Sequence, residues 1–112
     1  MTKINSRQKG AQGEREWRDE LRKHGYHAER GRQHHGRADA PDVLCPDLPF
    51  HWEVKRVENL NVEKALQQAE RDCNRETQVP LVAHRRNKET WKITMWASDF
   101  FAMLDGGKDG EV

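Results

Sequence analysis

The sequence predicts an α/β fold: a mixed sheet of about five strands with helices packed against it. Two observations predict this class. Segments with helical periodicity occur near the start, in the middle and at the end of the chain, and short apolar runs typical of strands lie between them. The resulting order is α-β-β-β-α-β-β-α, and a helix inserted between strands is typical of a mixed sheet.

The first helix is predicted to begin at Ser6, a suitable N-cap, and to end at Gly25. Trp17 and Leu21 lie within it at near-helical intervals. A short strand is predicted over 26–30. The next eleven residues, GRQHHGRADAP, contain three glycines or prolines and predict an exposed loop.

A hairpin and a second helix form the middle of the chain. The runs DVLC and FHWEVKRV read as two strands joined by the turn PDLP. The following segment, NVEKALQQAERDCN, predicts a helix with Asn61 as its N-cap and one apolar stripe that faces the core. That stripe consists of Val62, Ala65, Leu66, Ala69 and Cys73.

The last third of the sequence predicts two strands followed by a C-terminal helix. VPLVAHRR is almost continuously apolar, which favours an interior strand covered on both faces. WKITMWA alternates, with Ile93 on its apolar side, and SDFFAMLDGG predicts a short helix capped by Ser98. The aromatic and sulfur-containing residues here are ordinary core candidates, and a dimer seam is their second use: Trp91, Trp96, Phe100, Phe101 and Met103.

Composition limits the classes that the protein can belong to. At 112 residues we expect a single domain over 1–112, with a tail over 106–112. Hydrophobic residues make up only 34% and charged residues 35%, so burial of a patch in a symmetric homodimer would help the small core. No run predicts a membrane span or a signal peptide, which favours the cytoplasm and reduced thiols at Cys45 and Cys73.

Charge is distributed unevenly along the chain. Residues 7–37 hold nine Lys/Arg and five Asp/Glu, and residues 84–92 hold four and one. From residue 99 onward the balance reverses, with four acids and one lysine. The asymmetry predicts a basic face opposite an acidic one, compatible with a polyanionic partner.

The predicted hairpin contains the charged side chains that could form a metal site. Strand alternation sends Glu53 and Lys55 to one face, about 7 Å apart, with His51 beside them. Asp42 begins the preceding strand, so its carboxylate can approach Glu53 across the ladder. Two carboxylates with the Val54 carbonyl form an all-oxygen site suited to Mg²⁺ or Mn²⁺. The bland alternative is that Asp42 is a turn residue and that Glu53 and Lys55 are solvated strand charges.

Three stretches of the sequence resemble the PD-(D/E)xK nuclease superfamily, with its restriction-endonuclease-like core, and within it the small archaeal and phage-type Holliday junction resolvases. They are KGAQGERE in the first helix, PDV with WEVK in the hairpin, and PLVAHRRN after the second helix. The resemblance implies that Asp42 and Glu53 bind the metal, that Lys55 is the catalytic lysine, and that Glu14 joins the site, directly or through water. From its residues alone, Glu14 reads as a surface charge.

Several further residues are candidates for contact with the site or with DNA. Gln68 resembles a polar helix residue that some relatives direct at the site, although side-chain solvation is the favoured explanation. Arg7 and Lys9, at the positive end of the first helix, could hold phosphate. HRRNK, at 84–88, is a second basic tip whose place relative to the duplex stays open. The predicted backbone clamp is the loop that contains Arg30, Arg32, His34, His35 and Arg37.

The resemblance implies a Mg²⁺-dependent endonuclease that resolves four-way DNA junctions by paired nicks, one from each protomer of a homodimer. Two alternatives stay open. One is a less selective nuclease with the same metal site, used in phage replication or packaging, and the other is a DNA-binding module that does not cleave. The sequence disfavours the second alternative because all four site positions carry competent side chains.

Overall fold

The computed structural model of the protein describes residues 6–31 and 40–106, with side chains from residue 10 onward. The predicted order of elements is confirmed. Within the described residues, the helices that can be bounded are α1 (Ser6–Lys23), α2 (Val62–Asp72) and α3 (Ala97–Asp105). The five strands are β1 (Glu29–Arg30), β2 (Val43–Leu44), β3 (Phe50–Arg56), β4 (Val79–Arg85) and β5 (Lys92–Thr94).

The sheet is mixed, as predicted, and its strands lie in sequence order from β1 to β5. β3 and β4 pair in parallel along their full lengths, with Glu53 opposite Val82, whereas the other neighbours are antiparallel. A parallel pair needs a crossover connection, and α2 supplies it. The two longest strands therefore lie at the centre of the sheet.

An aromatic cluster fixes α1 to one face of the sheet. The ring centroid of Trp17 lies 5.2 Å from that of Trp52 in β3 and 5.1 Å from that of Trp91. Phe50 meets Trp52 edge to face at 5.3 Å, so the aromatic rings form a continuous cluster. α2 covers the other face, where Leu66 packs with Val82.

Coverage on both faces buries the middle of the two central strands. Residues 51–54 of β3 and residues 80–83 of β4 are buried. The prediction that VPLVAHRR is an interior strand is thus confirmed for β4. A charged side chain in the middle of β3 must consequently lie inside the protein.

The second helix follows the sequence prediction. Asn61 is its N-cap, and the Asn61 side-chain oxygen accepts a hydrogen bond from the Lys64 backbone N–H at 3.0 Å. Ala65, Leu66 and Ala69 of the predicted stripe are buried. Val62 and Cys73, at the two ends of the stripe, are half-buried because they lie at the margins of the covered face.

The C-terminal segment departs from the prediction in two respects. α3 begins at Ala97 with Trp96 as its N-cap residue, so Ser98 falls inside the first turn and is not the cap. In addition, Ile93 is 47% exposed because β5 is an edge strand of only three residues. Trp91 and Trp96 do pack against the core, as expected.

The prediction that the apolar residues of α3 belong to the core is wrong. Phe100, Phe101, Met103 and Leu104 are all exposed, with Phe101 at 57%. Asp99 explains the orientation, because its two carboxylate oxygens accept hydrogen bonds from the Arg75 guanidinium at 2.9 and 3.0 Å. This bidentate pair turns the Asp99 side of α3 toward the protein body and leaves the opposite side outside.

The two cysteines are free, in agreement with the prediction of reduced thiols. Burial raises the pKa of both Cys45 and Cys73, which keeps the thiols neutral. Within the part of the chain that the structure describes, no helix has the length and apolarity to cross a membrane. The predicted tail lies outside the described residues apart from Gly106.

The position of Trp17 predicts a large stability effect. We expect Trp17→Ala to lower the free energy of unfolding by ~3–5 kcal/mol, because it removes the ring that joins α1 to β3 and leaves a cavity. Urea denaturation followed by circular dichroism measures the change. Tyr26→Ala is the matched control, since this aromatic side chain is exposed and its loss should change stability by less than ~1 kcal/mol. Equal losses in both variants would contradict a central role for Trp17.

Candidate active site

Glu53 and Lys55 leave β3 on the same face, as the alternation predicts. The Lys55 ammonium nitrogen lies 3.4 Å from Glu53 Oε2. Glu53 is 2% exposed and sits in the interior, whereas the Lys55 side chain is 32% exposed and reaches the surface. The pair therefore extends from the protein interior, at Glu53, to the solvent-exposed surface, at Lys55.

Two hydrogen bonds hold Asp42 against β3, and a third joins it to Gly31. Its backbone N–H donates to the Trp52 carbonyl at 2.9 Å, and its carbonyl accepts from the Gly31 N–H at 3.0 Å. Its carboxylate Oδ2 accepts from the Val54 N–H at 2.9 Å. The Asp42 carboxylate thus lies beside the peptide unit between Glu53 and Lys55, and it is 3% exposed.

A glycine makes the position of Asp42 possible. A Cβ atom at Gly31 would collide with the Pro41 carbonyl, so only glycine lets the two chain segments approach at this point. Gly31 in turn donates the backbone hydrogen bond that fixes the Asp42 carbonyl. The tight crossing of these segments therefore contributes to the placement of the Asp42 carboxylate.

Glu14 enters from α1, which lies close to β3. A Cβ atom at Gly13 would lie only 2.9 Å from Arg56 Cβ, so glycine allows the close approach of helix and strand. Glu14 is buried, and its Oε1 accepts a hydrogen bond from Arg30 Nε at 3.0 Å. Arg30 is itself largely covered, which corrects its prediction as a member of an exposed clamp. Its role toward DNA stays a prediction.

Each of the three predicted acids is engaged by a different group. Arg30 contacts Glu14, the Val54 N–H donates to Asp42, and Lys55 lies beside Glu53. Among the side chains described, over residues 10–31 and 40–106, no group of three Asp, Glu, His or Cys residues is spaced to hold a metal ion. The joint role of Glu14, Asp42 and Glu53 as metal ligands stays a prediction.

Two of the predicted ligands nevertheless fit a hard cation. Asp42 lies immediately before β2, and Glu53 lies in the neighbouring strand β3. Both carboxylates are shielded from bulk water. Carboxylate oxygens in such an environment are donors that Mg²⁺ and Mn²⁺ prefer. The participation of Glu14 and of the Val54 carbonyl stays a prediction.

A second group of charges fastens α1 to the two central strands. Glu16 Oε1 accepts hydrogen bonds from Arg85 at 2.7 and 3.1 Å and lies 3.3 Å from Arg56 Nε. The Arg85 guanidinium also stacks over the Trp91 ring at 5.6 Å. The sequence analysis missed this cluster because Arg85 lies 69 residues from Glu16 along the chain.

The remaining candidates divide into two groups. His51 is buried in β3 and Gln68 is half-buried in α2, and their roles stay predictions. Most of the predicted DNA contacts, namely the side chains of Arg7, Lys9, Arg32, His34, His35 and Arg37, lie outside the described residues.

One neighbour of the site was not predicted. His84 of β4 is the register partner of Lys55, and its Nε2 lies 2.8 Å from Thr94 Oγ1 on β5. Burial and the nearby Lys92 ammonium lower the pKa of His84. The sequence predicted the strand that contains His84. It did not predict the register of that strand against β3, because the register depends on the crossover connection.

A solved structure confirms the type of fold. The chain superposes on Hjc from Archaeoglobus fulgidus, a Holliday junction resolvase from an archaeal hyperthermophile, with a TM-score of 0.59. The two are 21% identical, and the match covers 78% of this chain and 72% of that one. At this identity the likeness establishes the fold alone.

The sequence itself identifies the family. No functionally curated protein matches the chain. The family model described as "Phage putative PDDEXK endonuclease" matches residues 5–108, which include all four predicted catalytic positions and nearly the whole chain. The protein is therefore a member of this phage PDDEXK endonuclease family.

Proposed function

We propose that the protein is a divalent-metal-dependent DNA endonuclease that resolves four-way junctions by paired nicks. One observation carries the proposal: two buried carboxylates, Asp42 and Glu53, flank one peptide unit, with the Lys55 ammonium 3.4 Å from Glu53. These three side chains resemble the two acids and the lysine of the PD-(D/E)xK pattern, and membership in a PDDEXK endonuclease family supports giving them those roles. The similarity to a resolvase fold supports the choice of a branched substrate.

Asp42 and Glu53 would hold Mg²⁺, with Mn²⁺ as a substitute, and the Val54 carbonyl is a third oxygen donor within the same segment. A metal at this place would polarise the scissile phosphate and lower the pKa of the attacking water. Lys55, at the solvent edge, is placed to offset negative charge on the phosphate and to orient the water. Glu14 would contribute through a water molecule, since Arg30 engages its carboxylate directly.

Junction resolution requires two active sites, and the exposed face of α3 supports a homodimer. At 3.6 residues per turn, the exposed side chains of Phe100, Phe101, Met103 and Leu104 cover an arc of about 160°, which runs from Met103, about 40° from Asp99, to Phe101 on the opposite side of the helix. Their exposed apolar area is on the order of 400 Å², the size at which surface patches mark interaction sites. A stable dimer buries roughly 800 Å² per partner, so α3 would form the apolar centre of a larger two-fold interface.

The first test separates junction resolution from general nuclease activity. We expect symmetric nicks in opposite strands of a synthetic four-way junction with Mg²⁺, and none with excess chelator, because the carboxylates need the cation to approach a phosphate. Denaturing gel electrophoresis of end-labelled strands reads the products. Equal cutting of a linear duplex of the same sequence would support the less selective nuclease, and binding without cutting would support the non-cleaving module.

Glu53→Gln tests the metal site directly. We expect cleavage to fall by at least about 100-fold, because a neutral amide is a poor ligand for a hard cation and each factor of ten corresponds to ~1.4 kcal/mol of barrier. Binding to the junction should be retained. Glu63→Gln, at an exposed position of α2, is the matched control and should cleave as the wild type does. A folded Glu53→Gln protein that still cuts would refute the assignment.

The dimer proposal predicts a change of mass. The chain is 13.1 kDa, and we expect a species of twice that mass in sedimentation equilibrium. Phe101→Glu combined with Leu104→Glu should shift it to the monomer, because two charges cannot be buried in an apolar seam. Gln67→Glu combined with Gln12→Glu adds the same charge at exposed sites and should leave the dimer intact. A dimer that survives the α3 changes would place the interface elsewhere.

A further inference from the structure

A row of basic side chains crosses three strands beside the candidate active site. Lys55 of β3 is the register partner of His84 of β4, and His84 is the register partner of Lys92 of β5. Register partners in a sheet project from the same face, so the three side chains stand side by side. The row begins at Lys55, next to Glu53, and ends at the edge strand.

A surface groove lies along the outer part of this row. Its volume is about 480 Å³. One wall is the connection between β3 and α2, from Val57 to Val62, and the other wall includes His84, Arg86 and Lys92. The groove thus continues the Lys55–His84–Lys92 row outward from the candidate site along the carboxyl ends of β3 and β4.

The cations of the groove are available for a new partner. Arg86 and Lys92 expose more than half of their side chains, and each contacts only Glu89 among the described acids, at 3.7 and 3.3 Å. Exposed ion pairs of this kind contribute little and are easily exchanged. The acid in the groove wall, Glu58, accepts a hydrogen bond from the Asn87 N–H at 2.7 Å. One oxygen of the Glu58 carboxylate is thus engaged by the backbone.

His84 is the most rigid member of the row. Its ring is half-buried, and the bond between Nε2 and Thr94 Oγ1 joins it to β5. A ring held in this way loses little conformational entropy when it contacts a ligand. The flexible cations on either side can then adjust to the spacing of a bound anion.

We propose that this groove, through Lys92, Arg86 and His84, binds backbone phosphates of the DNA strand that is cut, next to the scissile phosphate at Lys55. The inference rests on the proposed nuclease function and adds a substrate-binding surface to it. Adjacent strands lie ~4.8 Å apart, so the row from Lys55 to Lys92 spans about 10 Å. One DNA strand carries a phosphate for each ~3.4 Å of helix rise, so the row is long enough to meet more than one of them.

The function of the row is to fix the strand in register with the carboxylates. Phosphate contacts position a nucleic acid without reading its sequence, which suits an enzyme that recognises backbone shape. Lys92 and Arg86 would hold the neighbouring phosphates as the scissile phosphate approaches Glu53. The groove is thus a binding surface, and the chemistry remains with Asp42, Glu53 and Lys55.

The test measures DNA affinity without cleavage. Glu53→Gln protein in chelator is titrated with a fluorescent four-way junction at several salt concentrations. Adding Arg86→Ala and Lys92→Ala should weaken binding by about tenfold at physiological salt and reduce the slope of log K against log salt by about 2, since each lost phosphate contact removes ~0.9 from the slope. Lys92→Arg alone should retain the slope, because the charge is kept.

Two controls make the outcomes distinguishable. The double variant Lys23→Ala with Arg71→Ala removes the same amount of charge from exposed positions in the last turns of α1 and α2. It should change DNA affinity by less than twofold. If both double variants weaken binding equally, or if neither does, the groove is not the contact. If the parent protein binds no DNA at all, the proposed function itself fails.

A further arm separates DNA phosphate from free phosphate. The imidazole resonances of His84 are followed by NMR during titration with the junction and, separately, with inorganic phosphate. We expect saturable shifts with sub-stoichiometric to equimolar junction and only weak shifts with inorganic phosphate at millimolar concentration. Saturation by inorganic phosphate with no response to the junction would overturn the proposal.

Discussion

The parallel pairing of β3 with β4 is the constraint on which the rest of the structure depends. β3 lies between β2 and β4, and the crossover helix α2 and the N-terminal helix α1 cover its two faces. Glu53 is then forced to hold a carboxylate at 2% exposure. A buried charge is stable only with compensating groups, and Lys55, two residues along the same face, provides one. The charge pair of the candidate site is thus a direct consequence of topology.

The same pairing organises the approach of the other elements. α1 can reach β3 closely because Gly13 has no Cβ, and the Glu16 carboxylate then joins Arg56 and Arg85 from the two central strands. With α1 held against the sheet by these ion pairs, Glu14 lies beside the candidate site and accepts a hydrogen bond from Arg30. The carboxylates therefore sit in a frame whose position is set by packing and by ion pairs that lie outside the site itself.

The sequence predicted the parts of the structure that depend on local rules. Strand alternation placed Glu53 and Lys55 on one face, and the capping chemistry of Asn61 located α2, because both rules act within a few residues. Long-range electrostatics decided the rest. Glu14 meets Arg30 rather than the other acids, and the exposure of Phe101 follows from the ion pair that orients α3. The spacing of residues in the sequence could not identify Arg30 as the partner of Glu14 or Arg75 as the partner of Asp99, because the chain contains twenty Lys/Arg residues.

Under the proposed function, the arrangement of charge would require cations from two sources. Carboxylates buried beside β3 repel a DNA phosphate, and the repulsion is strong where water is excluded. Asp42 and Glu53 would hold the proposed divalent ion, whose charge would offset theirs where the reactive phosphate approaches. The neighbouring phosphates of the same strand would meet no such ion, and Lys55 and Lys92 of the proposed row would supply positive charge there. The metal and the basic row would thus offset the charge of successive phosphates of one strand. Loss of the metal should therefore reduce cleavage, whereas loss of the row should reduce the salt-dependent binding of DNA.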